Sequence, residues 1–263
     1  MFNLRKFWQS SSGLHLKDYH KEQSTQQPVR KLTAANASEL VIPLQQHSGH
    51  KPKIIVKAGD FVYKGQCLAE AEGVISVPVH ASTSGRIQAI EERPIAHPSG
   101  LTDLCVILIP DGQDNWGDQR LVPIKNYAEA SATVLRERVS QAGIVGLGGA
   151  VFPSAIKLNV PESVQLTTLV INGAECEPYL TCDYTLMKEY TKELFDGIKI
   201  ICEILKPENI ILAIDEKYSA LESEFQKYNT DNVKILTVSD IYPQGSEQLL
   251  INSILNKEIP KSK

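Results

Sequence analysis

A glycine-rich segment in the middle of the chain has the composition of a phosphate-binding loop. It runs Gly143-Ile-Val-Gly-Leu-Gly-Gly-Ala-Val-Phe-Pro-Ser-Ala-Ile-Lys157, with four glycines in its first seven residues. Glycines let backbone amides approach an anion closely, and a helix beginning near Pro153 would add the positive end of its dipole. Lys157 would lie one turn into that helix, within reach of a phosphate. The segment lacks the third glycine of G-x-G-x-x-G and follows a predicted helix, so a plain flexible connector is the alternative.

A second candidate segment, Asn172-Gly-Ala-Glu-Cys-Glu-Pro-Tyr179, directly follows a predicted strand. It places two carboxylates, an amide and a thiol at the carboxyl end of that strand, where open α/β sheets bind ligands. These groups suit ribityl or ribose hydroxyls, or the edge of an aromatic ring system. In the structural alternative, Asn172 and Gly173 form only a turn and Cys176 is a packing residue. The position after the strand favours a functional site.

A third candidate segment, Tyr242-Pro-Gln-Gly-Ser-Glu247, follows another predicted strand and leads into a helix. It is a second glycine-containing strand-to-helix turn, with an acidic residue near the start of the helix. The alternative is a structural one, in which Ser246 caps the helix.

The elements that must position these segments divide the chain into an irregular arm at 1–35, an all-β module at 36–115 and an α/β domain at 120–263. In the α/β domain, apolar runs predict strands and amphipathic runs predict helices, in alternation. The strands are Thr167–Asn172, Asn209–Asp215 and Val233–Val238, and the helices are Ala128–Gln141, Tyr190–Leu205, Tyr218–Tyr228 and Ser246–Leu255. Alternating strands and helices imply a parallel sheet with right-handed crossovers.

The all-β module has short β-rich segments broken by Gly, Pro and Asp, such as Lys53–Val56, Gly73–Val79 and Cys105–Ile109. The Gly59–Asp60 and Lys64–Gly65 pairs suit tight turns. The module resembles the lipoyl- and biotinyl-type barrel-sandwich hybrid. A carrier role is excluded, because no lysine occurs between Lys64 and Lys125 to bear the prosthetic group.

The composition of the chain argues against nucleic-acid binding, local metal sites and membrane helices. The net charge is −4, with no basic stripe of the kind that nucleic-acid binders carry. Five cysteines without a C-x-x-C pair predict reduced thiols rather than a local zinc or iron–sulfur site. His80 and His97 lack a second ligand at metal spacing, so hydrogen-bonded structural roles are expected and no metal ligand is assigned. No apolar run is long enough for a membrane helix.

Together the three candidate segments resemble the C subunit of the Rnf ion-translocating oxidoreductase. The resemblance extends to several N-terminal segments, in order along nearly the whole chain: Ile42-Pro-Leu-Gln-Gln-His, Gly59-Asp, Lys64-Gly-Gln, Pro78-Val-His-Ala and Ala96-His-Pro-Ser-Gly. The α/β half is also similar to the FMN- and NADH-binding subunit of respiratory complex I. The resemblance implies a barrel-sandwich hybrid followed by a Rossmann-like nucleotide-binding domain.

The resemblance to the complex I subunit also implies a set of cofactor-binding residues and no catalytic side chain. The glycine-rich segment contacts nucleotide phosphates, with Phe152 near the adenine or the flavin. The second segment lies along FMN and the nicotinamide, and the third lies beside the flavin. The implied residues are Gly146, Gly148, Gly149, Phe152 and Lys157, then Asn172, Glu175 and Glu177, then Tyr242, Gly245 and Glu247.

The function implied is that of a peripheral electron-transfer subunit on the cytoplasmic side of a membrane complex. Hydride passes between NADH and FMN, and electrons then pass to iron–sulfur clusters, with other Rnf subunits and ferredoxin as partners. The two four-iron clusters of the family lie in segments beyond Lys263, so this chain is expected to lack them and to be inactive alone. Val151 stands where the family usually has glycine, which leaves a non-catalytic docking module with a degenerate nucleotide site as the alternative.

Overall fold

The computed structural model describes residues 13–16, 20–97, 99–118, 120–161 and 163–259. The chain divides into two compact units, one formed by Met1–Arg30 with Glu162–Lys263 and the other by Lys31–Pro161. Residues 1–12, the start of the predicted arm, lie outside the described residues. The rest of the predicted arm contains short 3-10 helices at Lys21–Gln26 and Ala34–Asn36.

The unit Lys31–Pro161 contains two antiparallel sheets, with strand orders β1-β7-β6-β3 and β2-β4-β5. Strands β6 and β7 pair along most of their length, from Gly85 opposite Pro110 to Pro94 opposite Thr102. The two sheets enclose one apolar core that includes Leu44, Val62, Leu68, Ile87, Val106 and Leu108. The strands are β1 (Leu40–Pro43), β2 (Lys53–Ile54), β3 (Phe61–Val62), β4 (Cys67–Glu70), β5 (Val79–His80), β6 (Gly85–Pro94) and β7 (Thr102–Pro110).

One predicted strand of this module is wrong, and one observed strand was not predicted. Segment 73–78 is not a strand, because its polar groups bond the loop around His47: His50 N donates to Ile75 O (2.8 Å) and Val77 N to His47 Nε2 (3.3 Å). Strand β6 was not predicted, because its sequence contains many charged residues and the strand is half exposed. His97 has the expected structural role, with its Nδ1 2.8 Å from Ser99 Oγ.

The β module continues into two helices, α1 (Ala132–Gln141) and α2 (Ser154–Lys157). Helix α1 is shorter than predicted and begins after Ser131, whose side chain accepts a hydrogen bond from Val134 N. Gly143 was predicted to follow the end of this helix. It does so with a positive φ of 67°, the conformation that glycine commonly adopts there.

The other unit is built on a three-stranded parallel sheet in the order β10-β9-β8. Its central strand is the most buried, and successive residues of that strand face opposite sides. Leu212 and Ile214 pack with helices α3 and α4, whereas Ile211 and Ala213 pack with α6. The elements are β8 (Thr168–Gly173), α3 (Cys182–Glu189), α4 (Thr191–Leu205), β9 (Asn209–Asp215), α5 (Glu222–Phe225), β10 (Lys234–Val238) and α6 (Glu247–Leu255).

The predicted alternation is confirmed, with a parallel sheet and helices on both faces. Helix α3 was not predicted, and the predicted helix Tyr218–Tyr228 is a 3-10 helix (Glu216–Leu221) followed by the single turn α5. Strand β8 was expected to be buried on both faces but is only half-buried, since it lies at one edge of the described sheet. These elements place three loops at the carboxyl ends of the parallel strands.

Candidate functional site

The carboxyl edge of the parallel sheet brings two of the predicted segments together. Asn172 Nδ2 donates to Gly245 O (2.9 Å), and Asn172 Oδ1 accepts from Ala174 N (3.1 Å). The amide therefore joins the loop after β8 to the turn after β10, across 73 residues of sequence. In the simpler alternative Asn172 formed only a local turn, and this long-range bond shows that it does more.

Gly245 lies so close to the loop after β8 that no side chain would fit. A Cβ added there would meet Ala174 O at 2.9 Å and Cys176 Sγ at 3.2 Å. The Gly245 amide itself donates to Cys176 Sγ (3.2 Å). Burial raises the pKa of the Cys176 thiol, so this cysteine is a packing and hydrogen-bonding group rather than a nucleophile.

Glu175 is buried, with 1% of its surface exposed, and its carboxylate is committed to helix α3. Its Oε1 accepts from Asp183 N (2.9 Å), and its Oε2 accepts from Tyr184 N (3.4 Å). A carboxylate at the first amides of a helix offsets their partial positive charge. Glu175 thus supplies the cap that the N-cap residue Thr181 does not provide.

Asp215, the last residue of β9, also bonds to the loop after β8. Its Oδ2 accepts from Glu175 N (3.0 Å), and its side chain is fully buried. Burial raises its pKa to about 6, and the nearest cation, Lys217 Nζ, is 3.9 Å away. Its Oδ1 has no hydrogen-bond partner among the described residues. Sequence analysis did not select Asp215 as a site residue, although it is the last residue of a predicted buried strand.

Of the predicted site residues at this edge, Asn172, Glu177 and Tyr242 have exposed side chains. Tyr242 is 39% exposed, and its backbone pairs with the N-terminal arm, since Leu14 N donates to Tyr242 O (2.8 Å). Glu247 begins α6 and is exposed. Ser246 occupies the N-cap position without a side-chain bond to the helix, so a side-chain capping role does not explain this turn.

Lys21 is a further residue of this edge that sequence analysis missed. Its Nζ donates to the backbone carbonyl oxygens of Glu175 (2.7 Å) and Glu177 (3.1 Å). Nothing in the local sequence of the arm signals this contact, because the partners are more than 150 residues apart.

The glycine-rich segment belongs to the unit Lys31–Pro161 and forms a closed loop there. Val145 and Pro153 form an antiparallel bridge at its base, and Gly146 N donates to Phe152 O (2.9 Å). Residues 147–150 form an exposed tip, and among the described residues their amides have no hydrogen-bond acceptor. A Cβ at Gly148 or Gly149 would meet no atom within 4 Å. The open amides fit an anion, whereas the single-turn helix α2 ends at the exposed Lys157 and adds little dipole.

Val151 departs from the backbone conformation that its side chain prefers. Its φ is 45°, in the left-handed region that favours glycine. The conformation is held by Ser48, whose amide donates to Val151 O (3.0 Å) and whose hydroxyl donates to Ala150 O. The loop therefore keeps a glycine-like geometry at a position that carries valine.

One group of potential metal ligands occurs among the described residues: Glu175, Cys182 and Asp183, with ligand atoms within 4.8 Å of one another. The Glu175 carboxylate is already used by helix amides, and the pKa of the Cys182 thiol is raised by burial. Both features disfavour metal binding.

Two regions of the chain match models of known protein families. Residues 139–263 match a family model described as the Nuo51 FMN-binding domain, and residues 8–113 match one described as the RnfC barrel sandwich hybrid domain. The barrel-sandwich prediction is confirmed. The match to the FMN-binding domain covers the glycine-rich segment and both loops at the sheet edge.

Relatives of known name match nearly the whole of this sequence. The C subunit of the ion-translocating oxidoreductase complex of Pasteurella multocida (strain Pm70) is 41% identical over 98% of this chain and 30% of its own length. The corresponding subunit of Vibrio cholerae (strain N16961) is 41% identical over 97% of this chain and 32% of its own length. An NAD+-reducing [NiFe]-hydrogenase covers 51% of the chain and 28% of its own at 23% identity, with a TM-score of 0.44, which is too weak to support an inference.

The chain spans about a third of the length of the curated relatives it matches. It is similar to part of the C subunit of the ion-translocating oxidoreductase complex, and the resemblance that its motifs predicted is confirmed. None of the helices among the described residues has the length and apolarity to span a bilayer.

Proposed function

We propose that this relative of the RnfC proteins is an FMN- and NADH-binding electron-transfer module of an ion-translocating oxidoreductase complex. The observation that carries the proposal is the Asn172–Gly245 hydrogen bond, which joins two polar loops at the carboxyl ends of parallel strands. Ligands of open α/β sheets bind at this edge. The match of residues 139–263 to an FMN-binding domain names the ligand class.

At the sheet edge, the residues proposed to contact the flavin differ in role. Asn172, Glu177 and Tyr242 are exposed and present an amide, a carboxylate and a phenol to a ligand. Glu175 and Gly245 shape the loops, one through its buried carboxylate and the other through its close backbone approach. Glu247 places a negative charge beside them at the start of α6.

In the glycine-rich loop, the residues proposed to hold nucleotide phosphates are Gly146, Gly148, Gly149 and Lys157, with Phe152 beside a ring. Support comes from the exposed tip amides and from the space around Gly148 and Gly149. Backbone amides bind phosphate oxygens without a charged side chain, and Lys157 adds a positive charge nearby.

A bound FMN would supply the chemistry, which is hydride exchange with NADH and one-electron transfer. The protein's own groups orient the ring and set its electrostatic surroundings. The raised thiol pKa of Cys176 and the capping role of Glu175 are consistent with the expectation that no side chain serves as a nucleophile or general acid.

The proposal also covers the domain organisation, the partners and the location of the chain. We infer that residues 120–263 form a Rossmann-like domain after an arm at 1–35 and a β module at 36–115. The other subunits of the complex are the proposed partners, with ferredoxin as a redox partner, and the cytoplasmic face of the membrane is the proposed location. The relatives are named as subunits of an ion-translocating complex, which supports this assignment.

The test is a fluorescence titration of the chain with FMN and, separately, with riboflavin, which lacks the phosphate. Saturable one-to-one FMN binding is expected, with riboflavin weaker by about tenfold or more because the phosphate contacts are lost. Asn172→Ala is expected to weaken the binding of both ligands, because the variant loses the amide at the sheet edge, whereas Lys192→Ala, a change on the exposed side of α4, leaves both unchanged. Absence of binding by either ligand to the wild-type chain would overturn the proposal.

A second candidate function is favoured by Val151. A branched side chain in a loop with left-handed backbone fits a degenerate nucleotide site in a non-catalytic docking module. In that case the wild-type chain fails to bind FMN and Val151→Gly gains binding. If both bind FMN equally well, the docking-only function is excluded.

A further inference from the structure

The N-terminal arm contacts both loops of the candidate flavin edge. Residues 13–16 and 20–30 belong to the same compact unit as the parallel sheet. Leu14 pairs with Tyr242 through two backbone hydrogen bonds, of 2.8 and 2.9 Å. Gly13 packs against Ile241, where an added Cβ would meet Ile241 Cδ1 at 2.6 Å. The arm thus fixes the turn after β10.

The same arm also holds the loop after β8. Lys21 Nζ donates to the carbonyl oxygens of Glu175 and Glu177, which flank Cys176. An ammonium group that donates to two carbonyl oxygens orients both peptide units, and such charge-assisted bonds are stronger than neutral ones. Both carbonyls belong to residues of the candidate site, so the contact fixes the backbone at that site.

Further contacts anchor the arm to helix α3 and the residue before it. Ser24 Oγ lies 2.9 Å from Thr181 Oγ1, and Val29 N donates to Glu189 Oε2 (3.0 Å). Thr25 is buried, and its carbonyl oxygen accepts from Lys188 Nζ (3.5 Å). The arm therefore contacts α3, the helix that Glu175 caps, near both of its ends. These contacts fix the position of the arm relative to the candidate flavin edge.

We propose that the N-terminal arm is a positioning clasp for the flavin site, with Lys21 as its positioning residue. The arm holds the two loops in their binding geometry before the ligand arrives. Lys21 acts through the Glu175 and Glu177 carbonyls rather than through substrate. The role in flavin binding rests on the proposed function, whereas the ordering of the loop does not.

The first test is amide hydrogen exchange of the ligand-free chain. Lys21→Ala is expected to speed exchange in residues 174–181 by about tenfold or more, because the variant loses both charge-assisted hydrogen bonds to this loop. Exchange in β9 stays unchanged. Lys21→Arg restores slow exchange, and Lys192→Ala serves as the matched surface control.

Two results would overturn the clasp. Unchanged exchange at 174–181 in Lys21→Ala would show that the loop is ordered without the arm. Faster exchange throughout the unit, including β9, would show that Lys21 supports the fold in general rather than this loop.

A second measurement separates the clasp from the flavin assignment. If the wild-type chain binds FMN, Lys21→Ala is expected to raise its Kd about tenfold and Lys21→Arg to recover most of the affinity. An unchanged Kd would overturn the positioning role. If the wild-type chain does not bind FMN, the proposed function fails, while the exchange experiment still decides whether the arm orders the loop.

Discussion

Single residues in the glycine-rich loop and at the sheet edge have backbone or charge environments that carry a cost. Val151 is a β-branched residue with φ of 45°, and Asp215 is a fully buried carboxyl whose Oδ1 has no hydrogen-bond partner among the described residues. Residues held in such states are frequent at functional sites, because the surrounding structure over-determines them. Each state has a measurable consequence for stability.

Replacing Val151 with glycine is expected to stabilise the chain. The left-handed conformation costs an L-residue about 1–2 kcal/mol, whereas glycine loses about 0.5–1 kcal/mol through backbone entropy. The net expectation is about 1 kcal/mol, seen as a higher urea midpoint. Val145→Gly in the same loop is the control, since Val145 lacks a positive φ and is expected to destabilise on substitution. A lower midpoint for Val151→Gly would contradict the strain.

The buried carboxyl of Asp215 is expected to make stability depend on pH. Its pKa rises from 3.8 in the unfolded chain to about 6 in the fold, so the native state binds more protons between these values. Its contribution to stability is full below pH 3.8 and is lost as the pH rises through 6. Asp215→Asn keeps an acceptor for Glu175 N and is expected to be more stable than wild type at about pH 8, by about 1–3 kcal/mol.

Urea unfolding at about pH 5 and about pH 8 measures this difference. Asp196→Asn is the control, because the hydrogen bond from Lys192 lowers the pKa of Asp196. This carboxyl is therefore ionised at both pH values, and its variant is expected to keep the pH dependence of the wild type. An Asp215→Asn variant that loses as much stability over this pH interval as the wild type would show that Asp215 is not the group responsible.

At the scale of elements, the site depends on two loops that meet at the sheet edge. The strands that carry them were predictable, because continuous apolar runs such as Asn209–Asp215 signal buried strands. Helix α3 was not, since its sequence has a weak amphipathic pattern and its first amides are capped by Glu175 from outside the helix. Contacts between distant segments, such as those of Lys21 and Asp215, leave no local signal in a single sequence.

Gly245→Ala is expected to push the two loops apart. The new Cβ would lie 2.9 Å from Ala174 O, a backbone atom that has little freedom to move. Overpacking of this kind costs about 1–3 kcal/mol, and FMN affinity is expected to fall with it. Gly197→Ala in helix α4 is the control, since its Cβ would meet no atom within 4 Å and alanine favours helix. Equal stability of Gly245→Ala and wild type would contradict the close contact.

At the scale of the whole molecule, the chain combines a barrel-sandwich β unit with a parallel α/β unit, and the family models match the two in that order. The order of motifs predicted this architecture. The positions of the cofactor residues come from resemblance, and the structure brings Asn172 and Gly245 together at one edge. The glycine-rich loop, in the other unit, offers open amides of its own.

The central claim is that the carboxyl edge of the parallel sheet binds FMN. The most direct test is amide NMR of the isotope-labelled chain during an FMN titration, which reports binding and its location together. Binding at this edge predicts saturable shifts in residues 172–177 and 242–247. Saturable shifts confined to other residues, or none at saturating FMN, would contradict it.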